Sequence, residues 1–146
     1  MKNVALAAEI LALALNAIAC GYGAWCWRRA DASAWFWRVT RAAQASIVLQ
    51  AALNGILELT GPKPQGLHIL YSVVPLLVSL IAESLRVAAA QTVLDQRGLE
   101  NAKAVGKLPA ERQRGIVVAI VQRELAVMTI AAAVVVVLLV RAVQTG

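Results

Sequence analysis

Leu125–Val140 reads LAVMTIAAAVVVVLLV, without a single charged residue. Extended back to Ile116, this run is long enough to cross a hydrocarbon core, which takes roughly 20 helical residues. The block Val134–Val137 consists of strand formers, yet no alternation of apolar and polar residues accompanies it. In lipid every backbone polar group needs a partner, and a single segment can supply those partners only as a helix. Working outward, three more apolar runs precede it, over 4–27, 35–59 and 67–85, the last continuing as a helix toward 94. The reading is an all-α integral membrane protein, a four-helix bundle. It forms one transmembrane domain over 1–146, with helices at about 4–27, 35–59, 67–94 and 110–142.

Composition agrees with this and excludes other classes. The 146 residues are 60% hydrophobic and 15% charged. A soluble domain carries roughly 45–50% apolar and about 25% charged residues. The net charge of +6 does not imply nucleic acid, because the basic residues sit in short stretches between apolar runs, where membrane proteins keep them. No Ser-His-Asp set is present, and a single histidine rules out a zinc site built on two. Cys20 and Cys26 lie about 240° apart on a helix and are read as small apolar residues. Lys2 and the segment Ala17-Ile18-Ala19-Cys20 loosely resemble a signal peptide. Glu9 and Asn16 interrupt that run, however, and apolar sequence continues to Trp27, so the segment is read as a mature helix.

Orientation follows from Lys and Arg. Arg28, Arg29, Arg38 and Arg41 flank the first connection, and Arg97, Lys103, Lys107, Arg112 and Arg114 the third. Only Lys2, Lys63 and Arg141 fall on the other side. The positive-inside rule places the first and third connections in the cytoplasm of a cell inner (plasma) membrane protein, with both termini outside. Trp25, Trp27, Trp35 and Trp37 all flank the first connection as an interfacial belt. The turn Gly61-Pro62-Lys63-Pro64-Gln65 faces outward. From His68 about 15 residues lead to Glu83, and from Leu139 about 15 lead to Glu124, so both sit near 22 Å depth. Glu83, Arg86, Arg123 and Glu124 therefore form an expected ion-pair layer. Beyond it helices three and four extend as a cytoplasmic hairpin, with Ile116, Val117, Ile120 and Val121 on one apolar strip.

Polar residues inside a bilayer are costly, so their positions carry information. Glu9, Asn16, Cys20 and Gly23 share one face of the first helix. Gln50, Asn54 and Glu58 follow at steps of four on the second, and His68, Ser72, Pro75, Ser79 and Glu83 at helical steps on the third. Three polar stripes give a polar interior made of Glu9, Asn16, Gln50, Asn54, Ser72 and Ser79. The fourth helix offers only Thr129 and reads as the most lipid-like. Glu58, His68 and Tyr71 flank the second connection and, with Glu9, form a titratable cluster suited to a proton relay or to orienting an axial ligand.

The stretch Leu49-Gln50-Ala51-Ala52-Leu53-Asn54-Gly55, followed by Leu59-Thr60-Gly61-Pro62-Lys63-Pro64-Gln65-Gly66-Leu67-His68, resembles a helix pair of haem A synthase-type and related cytochrome b-like membrane proteins. The resemblance covers about 49–80. It implies His68 as an axial ligand of haem b, the only metal expected here, with Tyr71 and Glu58 beside it. Those proteins pair histidines. His68 stands alone in this chain, so a second ligand would come from another copy or a partner subunit, or be absent. Ala7-Ala8-Glu9-Ile10 is also similar to the first helix of small multidrug transporters. Three functional expectations follow. The leading one is a non-enzymatic subunit or assembly partner of a larger membrane complex, or a homo-oligomer, and not a nucleic-acid binder. The others are a haem b- or quinone-linked redox protein using His68 and a proton-coupled small-molecule carrier using Glu9 and Glu58.

Overall fold

A computed structural model describes residues 2–60 and 66–145, with the side chains of 2, 66–69 and 145 outside the description. The outward turn at 61–65 and the His68 side chain lie outside the described residues. Those residues form five helices and no strand: α1 (Lys2–Arg29), α2 (Ala34–Thr60), α3 (Gly66–Gln96), α4 (Ala102–Val105) and α5 (Ala110–Thr145). All but the short α4 are long and apolar enough to cross a membrane. The chain is a multi-pass helical membrane protein.

The ends of the helices follow local chemistry. Gly98 adopts φ +67 just past α3, and the Leu99 amide reaches back to the Leu94 carbonyl at 3.0 Å. This is a Schellman closure that suits glycine. The same closure ends α1, where Asp31 N–H reaches the Cys26 carbonyl at 3.1 Å, but its left-handed position holds Ala30 at φ 53. A side chain there costs about 1 kcal/mol relative to glycine. Asn101 opens α4 by accepting from the Ala104 amide at 3.1 Å, a standard N-cap bond.

Neighbouring helices run antiparallel in a ring, α1 to α2 to α3 to α5 and back to α1. The contacts of α5 with α3 and with α1 are the most extensive, and the α2–α3 seam is the sparsest. This departs from the reading of the last helix as the most lipid-like. Its alanines and short β-branched side chains let neighbouring backbones come close, and in lipid such packing drives association in the absence of a hydrophobic force. Gly23 shows how close. A methyl group there would overlap the Thr129 hydroxyl and come within 2.9 Å of Phe36 Cε2.

Four apolar layers stack along the axis. Ala12, Ile47, Val135 and Leu139 lie toward the 60–66 end, and Ala19, Ala43 and Ala132 lie at mid-depth. Cys26, Phe36, Ala82, Leu125 and Met128 follow. The fourth layer, Val93, Leu94 and Ile116 with Leu99, Val105, Leu108 and Ile120, belongs to the hairpin formed by the end of α3, α4 and the start of α5. The apolar strip expected on this hairpin divides. Ile116 and Ile120, four apart, turn into that core, while Val117, about 100° round the helix, is 53% exposed.

Candidate functional site

The polar interior starts from Asn54 on α2. Its amide nitrogen donates to Glu9 Oε1 of α1 at 2.9 Å and to Ser72 Oγ of α3 at 2.8 Å. Glu9, Asn54 and Ser72 are all buried, with Glu9 only 4% exposed. Three stripes from three helices thus meet at one point. The bonds join neighbouring helices where any unpaired polar group would face hydrocarbon.

These bonds also fix the register. Asn16 lies seven residues beyond Glu9, and Ser79 seven beyond Ser72, so both come opposite position 47 of α2. A cavity of about 20 Å³ opens near this depth, lined by Asn16, Thr40, Gln44 and Ser79 together with Met128 and alanines of α1, α2, α3 and α5. Asn16 donates to the Ala12 carbonyl at 2.8 Å. Thr40 is buried and its hydroxyl has no partner among the described residues. Gln50, between the node and the cavity, is fully buried, with neither amide atom partnered among the described residues.

At the hairpin end Glu83 gathers three side chains. Arg41 Nη1 approaches its Oε1 at 2.6 Å, Gln44 Nε2 donates to Oε1 at 2.9 Å, and Arg86 Nε donates to Oε2 at 2.9 Å. Arg86 also lies 3.9 Å from Glu124 and over the Trp37 ring. Of the expected layer, Glu83, Arg86 and Glu124 come together. Arg123 does not join them: its guanidinium donates to Gln96 at 3.3 Å. Adjacent residues on a helix point about 100° apart, so Arg123 and Glu124 cannot both face Arg86.

Arg41 and Gln44 take the place assigned to Arg123. The sequence carries a signal for their depth, though not for their rotation toward Glu83. A helical hairpin that closes between Glu58 and His68 puts position 83 opposite about 43, which Arg41 and Gln44 bracket. Thr40 and Thr129 carry no such signal, because a threonine hydroxyl can always bond its own helix backbone.

The Glu58–His68–Tyr71 group is placed only in part. Glu58 and Tyr71 are half-buried, and Glu58 Oε1 is buried with no partner among the described residues. Glu9 bonds to Asn54. The 20 Å³ cavity has room for one water and is far too small for a porphyrin. A haem on His68 would have to lie outside that cavity. Cys20 and Cys26 are free thiols, Cys26 within an apolar layer. No family model matches this chain, and neither does any curated protein or solved structure.

Proposed function

We propose that this chain is a non-enzymatic subunit or assembly partner of a larger membrane complex, held in the inner membrane with its hairpin in the cytoplasm and both termini outside. The hairpin carries this reading. α3 has 31 residues and α5 has 36, about 46 and 54 Å of helix against roughly 30 Å of hydrocarbon. The excess emerges at one end and is stiffened by its own apolar layer around Ile116. Val117 and Val118 lie about 10 Å beyond Glu124 along α5 and are exposed. Val118 shares a shallow depression with Arg114 and Glu111, and Lys103, Lys107 and Arg112 are exposed on the same hairpin. Bare valines on a hairpin with more lysine and arginine than aspartate and glutamate suit a partner surface that is apolar with a net acidic border.

The orientation rests on the arginines of the first and third connections, which share the hairpin end. Arg29 stacks on Trp25 at 4.1 Å and Arg38 on Trp35 at 5.2 Å, as expected of side chains at a headgroup boundary.

The test is native electrophoresis of the tagged protein gently extracted from its own membranes. A species well above monomer mass is expected. Val117→Asp combined with Val118→Asp should return it to monomer with helicity unchanged. A monomer in the unmutated extract overturns the reading. Two differently tagged copies that purify together would identify the partner as a second copy.

A further inference from the structure

The tetrad Trp-x-Trp-Arg occurs twice, at Trp25-Cys26-Trp27-Arg28 and at Trp35-Phe36-Trp37-Arg38, on either side of the first connection. In both copies the residue between the tryptophans is buried. Cys26 and Phe36 share one apolar layer with Ala82, Leu125 and Met128, and that layer sets the depth of both tetrads. Each tryptophan is one residue from its buried anchor, so it lies within about 1.5 Å of the layer along the axis. Turned about 100° away from the anchors, Trp25, Trp27 and Trp35 are exposed.

Two guanidiniums reach this depth from opposite sides. Helical side chains lean toward the N-terminus of their own helix. α1 runs toward the connection, so Arg29 leans back onto Trp25, at 4.1 Å from the ring centre. α2 runs away from the connection, so Arg38 leans outward onto Trp35, at 5.2 Å. Stacking occupies one face of a guanidinium and leaves its in-plane N–H donors free. Among the described residues no carboxylate pairs with Arg28, Arg29 or Arg38. Arg86 differs from them. It lies over Trp37 but is bonded to Glu83, so its charge is met inside the bundle. Asp31 is the only acid between 25 and 41.

We infer that the Arg29–Trp25 and Arg38–Trp35 stacks are binding sites for anionic phospholipids. Each guanidinium edge holds a headgroup phosphate, and the lipid's first methylenes lie against the indole. The chemistry of the pair selects this ligand. A planar fork of N–H donors matches two phosphate oxygens, and an exposed indole offers apolar surface at the same depth. A phospholipid joins phosphate to hydrocarbon, whereas a free phosphate has no apolar part to cover the ring. A headgroup that carries its own ammonium brings a second cation toward Arg28 and its neighbours, so lipids without one are favoured. The inference requires only that the helices cross a bilayer, and it stands apart from the assembly reading.

All four tryptophans of the chain lie in these tetrads, so intrinsic fluorescence reports on this region alone. The experiment places the purified full chain in phosphatidylcholine vesicles. A small share of the lipid is either phosphatidylglycerol or phosphatidylcholine brominated on the acyl chain near the headgroup, because bromine quenches an indole it touches. Brominated phosphatidylglycerol should compete for the sites roughly fivefold better, the factor expected of one arginine beside an anionic lipid, and less so in high salt. Arg29→Gln combined with Arg38→Gln should bring the two lipids to equal quenching. Circular dichroism should not change, since both side chains are exposed. Lys103→Gln combined with Lys107→Gln removes the same charge from the hairpin and should leave the preference intact. Equal quenching by both lipids in the unmutated chain overturns the inference. So does a preference that survives the loss of both arginines, or one that disappears equally with the two lysines.

Discussion

The seam between α1 and α5 and the seam between α2 and α3 are held by different forces. Along the first, Ala12, Ala19, Gly23 and Ala132 let the backbones touch. Along the second, contacts are fewer, and Asn54 with Ser72 and Arg41 and Gln44 with Glu83 reach across. Lipid supplies no hydrophobic push between helices. One seam therefore gains dispersion energy from close approach, and the other gains hydrogen bonds that have no better partner nearby. Steric change should damage the first seam, and removal of a bond the second.

The largest effect is expected at Gly23. Gly23→Leu forces a side chain into Thr129 and Phe36, at a cost of about 3 kcal/mol. Titrated unfolding in mixed micelles would measure it, and a loss under about 1 kcal/mol would show that the α1–α5 seam is not close-packed. Next comes Asn54→Leu. It removes two bonds, one to Glu9 and one to Ser72, for about 1.5 kcal/mol, the upper range for interhelical bonds in membranes. Combined with Glu9→Leu, the loss should be smaller than the sum of the two single losses, because both variants delete the same Asn54–Glu9 bond. An additive double variant would deny that coupling.

The third change lies outside both seams and serves as a control. Ala30→Gly relieves the left-handed alanine and should raise stability by about 1 kcal/mol, with no change in either seam's response. Smallest is Arg41→Gln. Its side chain is 55% exposed, so the lost ion pair should cost no more than about 0.5 kcal/mol, and less in high salt. A larger, salt-insensitive loss would mean that Glu83 depends on Arg41 more than on Arg86.

The way these seams divide explains what was legible beforehand. The four helices follow from run length and missing charges, and the polar stripes on α1, α2 and α3 follow from helical spacing. Glu9, Asn54 and Ser72 could each be assigned to the interior because a buried polar residue in lipid must face protein. Their mutual bonding could not be read, nor could the choice of Arg41 over Arg123, because each depends on the rotation of one helix against another. Gly23 shares the polar face of α1, yet nothing in its neighbours announces that Thr129 of α5 will press against it.

The chain alone thus dictated that it crosses a bilayer as helices, about where the four long ones start and stop, and which faces of α1, α2 and α3 avoid lipid. Those outcomes rest on interactions within about one helical turn and on the solvent. Which buried polar groups find partners among the described residues, and which, like Gln50 and Thr40, do not, was decided only by packing. Each depends on axial rotations and register shifts of a few ångströms, and these emerge from all the contacts between the helices together.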